Sequence, residues 1–421
     1  MAAWSNWSGS VTARPLRIER PRTEADLAAV VAGADQVRVA GSGHSFMPLC
    51  KTDGVLLSLL DMEGGIEVSS DRKSAWVPAG MPIGRLTAGL WAEGLSLANQ
   101  GDIDKQAIAG ALATATHGTG AALGSLSTLA EGFRLVLADG SVIECDGERE
   151  AELFAAQRVS LGALGVMARV KLSVLPAYRL RETLRRVPLE EILAGWDDLV
   201  RTHRHVEFFI FPYAGEALLK ILDPCAAGDD PHPSDVDATV MQLACELVAA
   251  IPALASPVQR LLTRAIASSS RAAPAYRIFP SERPTRFEEM EYELPAAHGP
   301  AALRAAIAEV RRRRLPIIFP FEYRQVAADD AWLSPMNGRE TVSISLHQYA
   351  KMPWKEAFAA IEPVFAAHGG RPHWAKRHTL ASEDVLRLYP EARRWGEVRK
   401  RVDPAGKFLN HHLRALFAFS L

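Results

Sequence analysis

The sequence predicts an α+β protein of two domains, and three observations carry that prediction. The chain has 421 residues, more than one ordinary core accommodates, since cores stop growing beyond roughly 250–300 residues. Apolar residues make up 48% and charged residues 23%, the composition of a globular protein. The texture also changes after Pro176: short strands alternate with helices before it, and longer strands mix with helices after it. The expected division is 1–178, then 179–390, then a C-terminal segment 391–421 that returns to the first domain.

In the first part, QVRVAG (Gln36–Gly41) is a strand running into a glycine turn. GVLLSL (Gly54–Leu59) and SAWVPAG (Ser74–Gly80) are further strands. PIGRLTAGLWAEG (Pro82–Gly94) is a helix with proline near its start and glycine at its end, the asymmetry that helix termini favour. FRLVLADGSVIEC (Phe133–Cys145) places two strands around Asp-Gly, a hairpin signal. VMARVKLSVLP (Val166–Pro176) closes the block with an alternating strand. In the second part, HVEFFIFPY (His205–Tyr213) and RLPIIFPFEYRQV (Arg314–Val326) are strands, and a helix lies at about 354–368. The stretch from about 215 to 285 is rich in Pro, Ala and Ser and gives little pattern. DPAGKFLNHHLRALF (Asp403–Phe417) sets a Pro-Gly turn before a last apolar segment.

Composition removes several function classes. A net charge of −1 gives no general affinity for nucleic acid. The basic run Arg311–Arg314 follows AALRAAIAEV and reads as a solvated helix C-terminus, where the helix dipole favours cations. The four cysteines, Cys50, Cys145, Cys225 and Cys245, form no CxxC pair, so neither a zinc ribbon nor a secreted disulfide framework is expected, and no metal. The N-terminus lacks a basic start followed by an apolar run, so no signal peptide and a cytoplasmic location are expected. ATVMQLACELVAAIPALASPVQ (Ala238–Gln259) is about long enough to span a bilayer. Its Glu246, Pro252 and Pro257 instead suggest a packed core helix pair without membrane contact.

Three motifs could carry chemistry. VRVAGSGHSF (Val37–Phe46) delivers a strand into Gly41-Ser42-Gly43, where two glycines allow successive N–H groups to point at one anion such as a pyrophosphate. It is neither the nucleotide-triphosphate loop, which ends in Gly-Lys-Ser/Thr, nor the GxGxxG dinucleotide fingerprint. A glycine-rich turn beside an incidental histidine would look the same. NQGDIDKQAIAGALATATHGTG (Asn99–Gly120) is dense in small residues, with hydroxyls at Thr114, Thr116 and Thr119. It suits either close approach of a large planar ligand or a tightly packed helix and turn. SLGALGV (Ser160–Val166) is by itself an ordinary turn into a strand.

Together these motifs resemble the FAD-binding domain of the vanillyl-alcohol-oxidase-type flavoproteins. Nearly the whole chain is similar to the aldonolactone oxidases (gulono- and arabinono-1,4-lactone oxidases) and the alditol oxidases. The resemblance implies a two-domain FAD-linked oxidase fold, an FAD-binding domain followed by a substrate or cap domain. It implies FAD carried covalently through an 8α bond to His44, with Gly41, Ser42, Gly43 and Ser45 around the pyrophosphate. Asp102, Ala107, Gly110, Thr114, Thr116, His117, Gly165 and Val166 would line the rest of the cofactor.

The substrate side would lie in the second domain. Glu322 and Arg324 are two apart on a strand and project to one face. An exposed ion pair is the ordinary alternative, but these charges sit among Ile, Phe, Pro and Tyr, where a charge should be paired or used. His347 alternates onto one face of the next strand. GGRPHWAKRH (Gly369–His378) contributes His373, Trp374 and Lys376, matching the family's His-Trp-x-Lys. By resemblance Glu322, Arg324 and Lys376 contact the substrate in front of the flavin, with His347 and Gly101 also lining its site.

Alditol oxidases have threonine where His347 stands. FPSERPTRFEEMEYELP (Phe279–Pro295) and HWAK look like the lactone branch, so an aldono-1,4-lactone is expected over an alditol. The implied reaction is hydride transfer from a CH–OH carbon to flavin N5, with Lys376 or His347 as candidate proton acceptors. A small residue near the flavin gates oxygen in this family. Gly101 at that position predicts oxygen as acceptor, giving hydrogen peroxide.

Overall fold

The computed structural model describes residues 3–226 and 238–421. Its first domain carries two main sheets, beside two short two-stranded pairs. Strands β1 (Arg17–Glu19), β2 (Val37–Val39) and β3 (Val55–Leu57) form a parallel sheet in the order β1-β3-β2. Helix α1 (Glu24–Ala32), with a capping box between Thr23 and Asp26, makes the crossover. Strands β4 (Glu67–Val68), β5 (Ser74–Pro78), β6 (Ala130–Val136), β7 (Val142–Asp146) and β8 (Val166–Ser173) form an antiparallel sheet, β7-β6-β8-β5-β4. The expected hairpin is the β6–β7 pair. Gly140 turns at a φ of +86°, and Asp139 accepts the Ser141 N–H at 2.8 Å. Helix α2 (Ile83–Ala92) starts after Pro82 and stops before Gly94, whose φ is +71°, as the Pro and Gly positions require.

The second domain is built on one antiparallel sheet of eight strands. They are β9 (Arg179–Pro188), β10 (His205–Ile210), β11 (Glu216–Cys225), β12 (Ser269–Pro274), β13 (Phe287–Pro295), β14 (Phe321–Val326), β15 (Thr341–Tyr349) and β16 (Arg371–Pro372). Their order is β12-β9-β11-β10-β14-β15-β13-β16. Side chains alternate across such a strand. Met290, Tyr292 and Leu294 of β13 therefore enter the core with Ala302, Ala306 and Phe365, on the face covered by the helices Gly299–Arg313 and Trp354–Ala367. Glu289, Glu291 and Glu293 face the other way, onto the first domain, where His117 meets two of them. The junction is hydrogen-bonded as well: Gly120 N–H donates to Gln325 O at 2.7 Å and Thr119 Oγ1 to Val206 O at 2.6 Å.

From Trp374 onward the chain packs against the first domain. Trp374, Val385 and Tyr389 already share a core with Phe133 and Leu135 of β6, as do Trp395, Leu413 and Phe417 further on. The indole of Trp374 lies at this crossing. It is fully buried, stacked on Tyr389 with 4.8 Å between ring centroids. Asn410 then donates to Pro48 O and Lys51 O, each at 2.8 Å, which ties the tail to the segment after the glycine turn.

The Ala238–Gln259 stretch differs from a core pair. It forms helices Ala238–Ala250 and Ala255–Ala265. Ala244, Cys245, Val248 and Leu262 are buried, while Val240, Leu243, Leu247, Ile251 and Leu261 are exposed. One stripe finds a partner and the other does not. Among the described residues no helix is long and apolar enough to cross a membrane.

Arg38 on β2 is 3% exposed. Its guanidinium donates to the carbonyls of Leu49 (2.8 Å), Leu161 (2.7 Å), Gly162 (2.8 Å) and Phe408 (2.5 Å). Burial pushes its pKa down to about 10, still charged at neutral pH. It thus pins three distant segments around the glycine turn. Arg38→Leu should leave the buried carbonyls of Leu161 and Phe408 without this donor and cost roughly 3 kcal/mol or more. Thermal unfolding should show this as a drop of several degrees in Tm.

Candidate active site

The turn after β2 opens one wall of a cleft of about 1080 Å³. Gly41, Ser42, Gly43, His44 and Ser45 line it, opposite Ala107, Gly110, Thr114 and Gly165. Gly43 has a φ of +74°, which L side chains avoid. A Cβ on Gly41 would come within 2.9 Å of Ala107 Cβ, whereas one on Gly110 would meet nothing within 4 Å. The small residues therefore pack the turn closely and leave space in front of the helix Ile108–Ala113. No N–H of Gly41–Ser45 donates to an acceptor among the described residues, so the turn presents a row of free donors. An extended, largely apolar, phosphate-bearing ligand such as FAD fits these walls.

His44 stacks on Trp7, with ring centroids 5.7 Å apart. Trp7 N–H donates to Gly43 O at 2.8 Å, and Asn6 Nδ2 to Ser45 O at 3.0 Å. The N-terminal segment thus clamps the turn, a contact the sequence did not reveal. Burial, then nearby Lys376, push the His44 pKa down to about 4. Its imidazole is neutral at physiological pH and keeps a lone pair for bond formation.

Not every expected cofactor residue lies there. The Val166 side chain is in the core between the sheets. Asp102, Thr116 and His117 line a second, smaller chamber of about 510 Å³, together with Gly101, Glu322, Arg324, His347 and Lys376. Gln106 borders both cavities. The segment 99–120 forms a wall of each, which explains why its small residues and its polar residues alternate in purpose.

The chamber is an ordered array of charges. Arg324 pairs with Glu291, which also accepts from Ser343 Oγ at 2.7 Å. The Arg324 guanidinium lies 3.7 Å from Glu322, which accepts from Ser345 Oγ at 3.1 Å. Lys376 pairs with Glu289 and lies 3.9 Å from Glu291, and His347 Nε2 is 3.3 Å from Glu289. Burial alone would raise Glu289, but Lys376 and His347 hold its carboxyl down at about 2.

His117 is 3.3 Å from both Glu291 and Glu293 through Nε2, and 2.9 Å from Gly118 O through Nδ1. Both ring nitrogens face acceptors only, so both carry hydrogen. Burial opposes the cation, yet the two carboxylates raise its pKa to about 9. His117 is therefore an imidazolium in the chamber wall. Glu322 Oε1, Arg324 Nε and Thr116 Oγ1 are buried and have no partner among the described residues. A neutral ligand rich in hydroxyls would satisfy them.

Comparison with known proteins agrees with this architecture. The model of the D-arabinono-1,4-lactone oxidase family matches residues 170–416, and that of the FAD binding domain matches residues 15–146. The chain is 39% identical to L-gulono-1,4-lactone dehydrogenase of Mycobacterium tuberculosis, over 98% of each chain. It is 27% identical to L-gulonolactone oxidase of Mus musculus, again over 98% of each. It is 30% identical to alditol oxidase of a Streptomyces species, over 98% of this chain and 99% of that one. Cholesterol oxidase from Brevibacterium sterolicum shares the fold, with a TM-score of 0.83 at 17% identity, over 99% of this chain and 96% of that one.

Proposed function

The chain belongs to the D-arabinono-1,4-lactone oxidase family, and from that premise we propose that it oxidises one CH–OH group of an aldono-1,4-lactone, of gulono, arabinono or galactono type, on FAD attached to His44. The observation that carries this reading is the meeting of two unlike cavities at Gln106. One suits a flavin nucleotide and contains a neutral histidine. The other is small, polar and charged, and is sized for a sugar lactone.

Bound FAD supplies the hydride acceptor. The chain supplies the rest. Arg324 and Lys376 put fixed positive charge where an alkoxide develops, and preorganised charge in a dry site is the largest lever on such a step. Glu289 and Glu291 hold those cations in place through the ion pairs above. The unpartnered oxygen of Glu322 is free to orient substrate hydroxyls. An alditol such as xylitol or sorbitol is the second reading, favoured by the alditol oxidase relative. Against it stands His347, fixed on Glu289. Steady-state assays with the three lactones and the two alditols separate the readings: the lactones should give the higher kcat/KM.

Oxygen is the proposed acceptor, because Gly101 leaves the chamber wall open. A Cβ there would approach His117 O at 3.2 Å and Thr116 Cγ2 at 3.6 Å. Gly101→Ala should slow reoxidation of the reduced protein by oxygen about tenfold, roughly 1.4 kcal/mol of barrier, and leave reduction by lactone nearly unchanged. Stopped-flow mixing of the reduced protein with oxygen checks this. The dehydrogenase relative favours an acceptor other than oxygen. Wild-type protein that is reduced by lactone yet forms negligible peroxide in air would establish that instead. The four cysteines are free thiols, which suits the reducing cytoplasm.

A further inference from the structure

Oxidising CH–OH releases a proton from the hydroxyl, and the chamber must contain its acceptor. Most candidates are already committed. Arg324 has no lone pair to offer. Lys376 is ion-paired with Glu289 and Glu291, and both nitrogens of His117 carry hydrogen. His373 Nδ1 accepts the Ala375 N–H at 3.1 Å, so its other nitrogen bears the hydrogen, and burial pushes its pKa down to about 3. Glu289 is engaged by Lys376 and His347, and Glu291 by Arg324, His117 and Lys376. His347 points Nε2 at Glu289 and packs edge-on against Phe287, with ring centroids 4.9 Å apart.

Glu322 differs from all of these. Its Oε2 accepts from Ser345, but its Oε1 is buried and unpartnered on the chamber wall. Behind it, Glu207 on β10 stands opposite Arg324 in the β10–β14 register. Single carboxylate oxygens of Asp102, Glu207 and Glu322 all lie within 4.8 Å of one another. Three carboxylates this close interact electrostatically, so their proton equilibria are linked. The groups facing them are Lys220 on β11, 2.8 Å from Glu207; Arg283, 3.1 Å from Asp102; and Arg324. Lys220 is also drawn toward Glu182 of β9, at 3.6 Å. Asp102 is held below its usual range, because Lys220, Arg283 and Arg324 together outweigh its burial. Burial dominates at Glu207 and pushes it up to about 7.

Given the lactone-oxidising activity proposed above, on which this inference rests, we propose that Glu322 takes the proton of the reacting hydroxyl and that Glu207, buried behind it, shares that proton. The C–H hydrogen leaves with its electron pair to the flavin oxidant. The O–H bond breaks, its electron pair closes the C=O bond, and the proton bonds to Glu322 Oε1. The oxygens of Glu322 and Glu207 lie within 4.8 Å of each other, a span that a single water would bridge. Glu207 never touches substrate and acts only through Glu322.

The test is single-turnover flavin reduction by L-gulono-1,4-lactone across about pH 5.5–9, alongside pH-difference infrared spectra of the resting holoprotein. Wild-type reduction should rise with pH as the pair loses its shared proton. Glu322→Gln should slow reduction on the order of 100-fold or more and abolish that rise, and Glu322→Asp should restore part of both. Glu207→Gln removes a negative neighbour. It should shift the rise about one pH unit or more to the acid side, with KM within about twofold.

The resting protein should show a carboxylic-acid C=O band that titrates near neutrality, one component of which Glu207→Gln eliminates. Glu293, also pushed up to about 7 by burial, supplies the component that stays. A Glu207→Gln profile superimposed on wild type, or a rise that disappears in His347→Asn instead, would overturn the proposal. If no lactone or alditol reduces the wild-type flavin, the functional reading fails. The infrared component then still decides whether Glu207 holds a proton.

Discussion

Replacing Arg324 by alanine is expected to slow flavin reduction by lactone on the order of 100-fold or more, equivalent to roughly 2.7–4 kcal/mol of lost transition-state stabilisation. The guanidinium is fixed from several sides: it pairs with Glu291, lies 3.7 Å from Glu322 and stands beside Glu207 in the sheet register. Because it is already ordered before substrate arrives, no reorganisation is needed when charge develops on the reacting oxygen. Its loss also leaves buried carboxylates short of a counter-charge, so Arg324→Lys is the informative partner variant. Lysine keeps the charge but loses the fork that reaches two carboxylates at once. The lysine variant should fold like wild type and recover only part of the rate. Lys376→Ala should show a loss of similar size. Flavin content, read from visible absorbance, should stay near wild type in all three, because these side chains line the small chamber and not the larger cleft.

The second large effect concerns His44. His44→Ala should give protein whose acid precipitate is colourless, where the wild-type precipitate stays yellow. The substitution leaves Gly41, Gly43 and their free N–H groups in place, so flavin should still bind, but reversibly, and be lost on dialysis or denaturation. The pH dependence of attachment follows from the imidazole. Burial and Lys376 hold its pKa at about 4, below the model-peptide value near 6.5. The nucleophilic neutral form therefore dominates above about pH 5, and the yield of attached flavin should be flat from there upward. Attachment that increased steeply between about pH 6 and 8 would mean that His44 is not the desolvated, neutral group its surroundings imply.

Much of this was legible in the sequence because the relevant signals are local. Gly43 is required by its own backbone geometry, and the Asp139-Gly140 hairpin and the Pro82 and Gly94 helix limits are equally local. Glu322 and Arg324 share a face because a strand has a period of two. What was not legible depends on distant segments. Glu289, Glu291 and Glu293 alternate with Met290, Tyr292 and Leu294, a pattern that normally means a solvated face. They are buried only because His117, 176 residues away from Glu293, together with Arg324 and Lys376, covers them. An acidic face opposite so apolar a one was the available clue. Arg38 looked like an ordinary strand residue, and only the folded chain brings Leu161 and Phe408 to its guanidinium. The family resemblance implies that His117 lines the cofactor, whereas the structure sets it in the small chamber. The segment crosses from the large cleft into the small chamber between Thr114 and Thr116, and no local pattern marks that crossing.

The most direct test of the whole account is an anaerobic titration of the purified yellow protein with L-gulono-1,4-lactone, followed by bleaching of the flavin absorbance. Bleaching that is complete at about one lactone per flavin, as a two-electron hydride transfer requires, is the predicted result. Flavin that stays oxidised in excess lactone, while flavin content is full, would contradict it.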